Sequence, residues 1–174
     1  MKLSTRDIVY IGFIAALCAV ATTIRIEIPG GAMVHLGSAA LFTTSILFGG
    51  LYGGLGAAIG SALFDLFGGH TQYIVFSFFI KGIAGLIVGG MTAGYLPPSI
   101  TKPTASFGRI LVALIIGAVW TAFGYFLAWW FVLESAVVAA SKIQYSLITS
   151  AAGIVVAIVL TLSLIHISEP TRPY

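Results

Sequence analysis

An all-α integral membrane bundle of six helices, with its N-terminus in the cytoplasm, is the architecture this sequence predicts. Three observations carry that expectation. Hydrophobic residues make up 59% of the chain and charged residues 7%, at a mean hydropathy of +1.10, whereas a soluble domain carries about 25% charged residues. The 174 residues hold roughly six or seven spans at about 20 apolar residues each, and little else. The 21 glycines suit helices that pack closely in a bilayer. High hydrophobicity with little charge also excludes a disordered chain.

Each segment has its own signals. Segment one covers residues 8–24, and the charged start at Lys2, Arg6 and Asp7 reads as a retained first helix rather than a cleaved signal. Thr22, Thr23, Ile24 and Arg25 match a small-residue cleavage site poorly. Residues 25–31 form a polar loop bearing Pro29, Gly30 and Gly31. Residues 33–67 are apolar but too long for one helix. Gly49-Gly50 and Gly53-Gly54 mark a tight turn between segments two and three. Gly68, Gly69 and His70 end segment three, and segment four covers 72–96. Pro97 and Pro98 open a polar stretch to Gly108 that no helix enters easily. Segment five covers 109–133, residues 134–142 connect, and segment six starts near Ile143.

Charge sets the expected orientation. With the N-terminus inside, Lys2, Arg6, Lys102 and Arg109 flank cytoplasmic ends, against Arg25 and Lys142 outside with Glu27 and Glu134. That balance follows the positive-inside rule. Residues 1–165 read as one six-helix transmembrane domain. Residues 163–174 break the pattern with two prolines and a charge pair, and resemble a translated sequencing adapter. On that reading segment six is cut short and His166, Glu169 and Arg172 carry no function; the other reading is a genuine cytoplasmic tail.

Several chemistries fail by absence from the sequence. It has no P-loop, no H-E-x-x-H zinc motif, no G-x-S-x-G elbow and no acidic cluster suited to magnesium. The lone Cys18 allows neither a disulfide within the chain nor a cysteine metal site, and no basic stripe points to nucleic acid. The chain is expected to be neither an enzyme nor a metal or cofactor protein. Binding or transport is the remaining class.

Ionisable residues inside spans are costly and usually functional. Two stand out, Asp65 in segment three and Lys81 in segment four. Lys81 lies about 15 Å along its helix from the turn at Thr71, and Asp65 about 6 Å from the same turn. They can form a buried pair, which is either structural or part of a site. Tyr73, Ser77 and Lys81 make one polar face at a spacing of four. Thr121, Tyr125 and Trp129 make another, and Tyr145 and Thr149, followed by Gly153, a third. Aromatic rings with hydroxyls and a charge suit a small planar polar ligand. Tyr125, Trp129 and Trp130 also fit an interfacial aromatic belt, which is the preferred reading for Trp130 and an open one for Tyr125. On segment one, Gly12, Ala15, Ala16 and Ala19 give a small-residue face for close helix approach. Gly56-x-x-x-Gly60 and Gly85-x-x-x-Gly89 fit internal packing.

Four fragments in order, MVHLGS at 33–38, LFGGLYGGLG at 47–56, GSALFDLFG at 60–68 and FIKGIAGLIVG at 79–89, resemble the substrate-binding S components of energy-coupling-factor (ECF) vitamin transporters. The hydroxymethylpyrimidine and vitamin B6 members are the most similar, and the riboflavin and pantothenate members less so. The resemblance implies a six-helix, multi-pass protein of a prokaryotic cell membrane that captures a vitamin or precursor from outside. It further implies partners: a transmembrane T component and two cytoplasmic ATPases, with Ala15 and Ala19 matching the family's contact with the T component. Ligand contacts are implied at the 30–35 segment and the outer ends of segments four to six. His35, Tyr73, Ser77, Lys81 and Tyr145 then supply polar contacts beside Asp65 and Thr149, while Tyr125 and Trp129 stack on a ring. The sequence departs from the family where Ser38 replaces a frequent Asp, and where Ser146 and Thr149 stand near frequent Asn and Gln. A stand-alone proton-coupled carrier using Asp65 and Lys81 is the alternative.

Overall fold

The computed structural model describes residues 3–28, 32–95 and 105–168. Among the described residues, five helices are long and apolar enough to cross a membrane. Helix α1 (Thr5–Thr23) opens on a capping box: Ser4 Oγ accepts from the Asp7 N–H, and Asp7 accepts from the Ser4 N–H at 2.7 Å. This satisfies two of the donors that a helix start leaves open.

After α1 the chain departs from the expected polar loop. Strands β1 (Arg25–Ile28) and β2 (Ala32–His35) pair antiparallel, with Arg25 opposite His35 and Glu27 opposite Met33. The alternation Arg-Ile-Glu-Ile followed by Pro-Gly-Gly is a hairpin signal of period two. It is easily overlooked between long apolar runs. The turn residues 29–31 lie outside the described residues.

Helix α2 (Gly37–Phe67) contains the expected reversal. Gly49 has φ 82° and ψ 176°, a conformation in which only glycine is at ease. A Cβ on Gly53 would sit 2.5 Å from Ser45 Cα. In a straight helix, eight residues separate two positions by about 12 Å, so the arms 37–48 and 50–67 fold back on each other. Both ends of α2 therefore come to the same end of the bundle as the hairpin.

A short 3₁₀ turn (Thr71–Tyr73) leads into α3 (Ile74–Thr92). The two prolines, Lys102 and Pro103 lie outside the described residues. Helix α4 (Phe107–Leu133) starts two residues before the expected Arg109. Helix α5 (Ala136–Ser168) starts seven residues earlier than Ile143, so the expected connection 134–142 is corrected. Glu134 adopts the left-handed conformation at φ 54° and reverses the chain almost at once. Lys142, expected in an outer loop, is instead a buried residue of α5. Glu169 and Arg172 lie outside the described residues.

Small residues set the packing. A Cβ on Gly85 would meet Gly54 Cα at 2.7 Å, and Gly89 abuts the Gly49–Gly50 backbone, so α2 and α3 touch main chain to main chain. Gly56 and Gly60 seat Ile14, Ala15 and Cys18 of α1 in the same way. Around these contacts Phe42, Ile14, Leu41, Ile46, Leu114 and Val88 are fully buried. The outer surface is apolar, with Val119 of α4, Phe131 and Val155 all more than half exposed. Such a surface is stable in lipid and not in water.

Candidate ligand-binding site

One end of the bundle holds a cavity lined by both aromatic and polar side chains. It gathers Thr22 at the end of α1, Met33 and His35 from β2, and Ser38, Ser61, Phe64 and Asp65 from the two arms of α2. His70, Tyr73, Ser77 and Lys81 follow from the turn and α3; Thr121, Tyr125 and Trp129 from α4; and Ser146, Thr149 and Ser150 from α5. The reversal at Gly49 is what brings Ser38 and Asp65, 27 residues apart, to one chamber.

Eight of the nine positions expected to contact a ligand line this cavity: His35, Asp65, Tyr73, Ser77, Lys81, Tyr125, Trp129 and Thr149. Tyr145 is not among the lining residues. The wall of α5 is turned by one residue, so Ser146, Thr149 and Ser150 face inward instead. The Ser146–Ser150 spacing of four was a legible signal for that face. Ser61 and Asp65, also four apart on an apolar helix, were the signal for the α2 wall.

Lys81 lies deep, 5% exposed, and its Nζ donates to Ser38 Oγ at 3.1 Å. The same ammonium stands 5.4 Å above the Tyr125 ring, a contact worth about 0.5–2 kcal/mol. Tyr125 Oη and Ser77 Oγ are 3.0 Å apart and share a hydrogen bond. Trp129 lies 5.7 Å from Tyr125, centroid to centroid. The two rings form one aromatic wall of the cavity. Ser61 Oγ donates within α2 and approaches the Ser77 carbonyl at 3.1 Å, which ties the α2 and α3 walls together.

The buried Asp65–Lys81 pair that the sequence allowed does not form. Among the described residues the ion pair is Arg25 with Glu27 at 2.8 Å, and Lys81 reaches the start of α2 rather than its end. Asp65 is 7% exposed, and its Oδ2 has no hydrogen-bond partner. His70 Nε2 and Ser150 Oγ are buried and unpartnered beside the same cavity. Polar groups in this state are costly unless something completes them.

His35 contributes a defined donor. Its Nδ1 accepts from the Gly37 N–H at 3.1 Å. Burial, with Lys81 and Arg25 adding to it, pushes its pKa down to about 3, so the ring is neutral and the proton sits on Nε2.

The small-residue face of α1 divides. Ala15 is 3% exposed and packed on Gly56 and Gly60; it is an internal contact, which corrects its assignment to a partner surface. Gly12 and Ala16 are exposed and Ala19 is half-buried. No group of three or more metal-ligating side chains occurs among the described residues.

Comparisons with known proteins agree with this architecture. The family model for the S component of ECF-type riboflavin transporters matches residues 2–166. The chain belongs to that family of transporter components and is a multi-pass membrane protein. In structure it is similar to the S component of a bacterial ECF transporter, at a TM-score of 0.74 and 18% identity over 95% of this chain and 98% of that one. In sequence it is similar to an uncharacterised protein from the gap 3′ region of Pyrococcus woesei, 33% identical over 103 residues. That match covers 59% of this chain and spans 63% of the relative's length. S components serve in vitamin uptake and are not an enzyme class.

Proposed function

We propose that this chain captures a hydroxymethylpyrimidine- or pyridoxine-like vitamin or precursor from outside the cell, for ATP-driven uptake by partner subunits. The partners are a transmembrane T component and two cytoplasmic ATPases. The observation that carries the reading is the convergence of five helical walls and a hairpin on one cavity. That cavity combines an aromatic face with unpartnered polar groups, a combination suited to a flat, polar, water-soluble ring. The absence of a P-loop in the sequence supports an energy source on another chain.

The two arms of α2 count as two crossings in this reading, making six, and the N-terminus lies in the cytoplasm. The excess of Lys and Arg at the N-terminal end supports that orientation, which in turn opens the cavity outward. Gly12, Ala16 and Ala19 are the surface left for the T component.

Uptake in cells tests the proposal. Radiolabelled hydroxymethylpyrimidine or pyridoxine should accumulate only when this chain is expressed together with the T component and ATPases. Accumulation driven by a proton gradient in vesicles lacking the ATPases would overturn it in favour of a stand-alone carrier.

A further inference from the structure

Asp65 and Lys81 are both more than nine-tenths buried and both line the same cavity, yet no ion pair joins them among the described residues. Two opposite ionisable groups, each more than nine-tenths buried and held apart in one cavity, are individually expensive. A fold that needed them only for stability would let them meet. Lys81 is partly satisfied by the Ser38 hydroxyl and the Tyr125 ring. Asp65 Oδ2 has no hydrogen-bond partner, although Ser77, His70 and Lys81 act on the carboxyl from nearby. The demand of the site is therefore asymmetric: a strong donor is wanted at Asp65 and an acceptor at Lys81, and the Tyr125 and Trp129 rings line the same cavity.

We infer that the ligand is an amino-heteroaromatic compound carrying a basic amine and, elsewhere on the molecule, an anionic or acceptor oxygen. The amine docks on Asp65, the oxygen on Lys81, and the ring lies along Tyr125 and Trp129. The ligand thus completes an ion pair that the protein leaves open. An analogue lacking the amine strands the Asp65 carboxyl, and a site built around a buried polar group discriminates most strongly against the ligand that leaves that group unmade. The inference rests on the vitamin-capture reading and narrows it to one chemical class.

Pyridoxamine and pyridoxine make a matched pair, since they share a ring and its phenolic oxygen and differ in an amine against a hydroxyl. Dissociation constants for both, and for riboflavin and hydroxymethylpyrimidine, are to be measured by calorimetry on the detergent-purified chain. The expected result is pyridoxamine tighter than pyridoxine by about tenfold to a hundredfold, the size of one charge-assisted hydrogen bond, with that ratio collapsing in Asp65→Asn. Lys81→Met is expected to weaken both members of the pair together. The comparison on the unaltered protein stands even where a variant fails to fold. Equal binding of the pair, riboflavin binding in preference to both members of the pair, or an unchanged ratio in Asp65→Asn each overturns the inference while leaving vitamin capture intact. Failure of all four compounds to bind overturns both.

Discussion

At the scale of single residues, the cavity is defined by what its side chains lack. Ser38 gives Lys81 one neutral acceptor at 3.1 Å and leaves the ammonium charge uncompensated. Placing a carboxylate there supplies an internal counterion. Ser38→Asp is therefore expected to raise the melting temperature of the empty protein and to weaken ligand binding by tenfold or more, both read in one thermal titration. His35 makes a pH prediction. Its pKa in the folded state is pushed down to about 3, against about 6.5 in an unfolded chain. Between those values the unfolded state binds the extra proton, so stability is whole above pH 6.5 and falls as pH drops toward 3. Melting temperature should decline from pH 7 to pH 5, and the slope should flatten in His35→Gln. Trp129 offers an optical readout. Ligand addition should quench indole fluorescence, and Trp129→Phe should remove most of that quench while Trp130→Phe, half exposed and paired with Phe126, should not.

At the scale of elements, the reversal at Gly49 and the glycine seam between α2 and α3 decide whether the cavity exists. An added methyl at Gly85 meets Gly54 backbone that has no rotamer to yield. Gly85→Ala is expected to cost about 1–3 kcal/mol, read as a lower melting temperature, whereas Gly12→Ala, with open space around it, should leave stability unchanged. Much of this level was legible in the sequence. Apolar runs, the Gly-Gly punctuation at 49–54 and the polar residues spaced four apart on α3 and α4 are local signals, and the structure uses them. Three features were hidden because they depend on tertiary context. The hairpin is too short to stand out between spans. The start of α5 follows from a left-handed Glu134 that sequence gives no reason to expect. Ala15 looked like its neighbours until α2 folded over it. The choice of Ser146 over Tyr145 at the cavity wall turns on about 100° of helix rotation, which polarity alone does not fix.

At the scale of the whole molecule, the bundle is asymmetric from end to end. The cavity, the hairpin and the ends of α2 lie at one end. The other end holds the Ser4–Asp7 cap, the Asp7–Tyr52 hydrogen bond and the Gly50–Gly94 contact at 2.9 Å. An importer subunit needs such polarity, open to solvent on one side and closed on the other. The proposed cytoplasmic N-terminus predicts that a single cysteine introduced at exposed Ile26 in a Cys18→Ala background reacts with a membrane-impermeant maleimide in intact cells. One at Phe107 should react only after the cells are opened.

On the proposed function, this chain alone, with no nucleotide and no partner, holds one small polar ring in its cavity. Native mass spectrometry of the detergent-purified protein tests it most directly. The expected spectrum shows a single adduct of vitamin or precursor mass at one per chain, lost in Lys81→Met. A spectrum with no adduct, unchanged on addition of excess hydroxymethylpyrimidine, the B6 vitamers or riboflavin, would contradict the account.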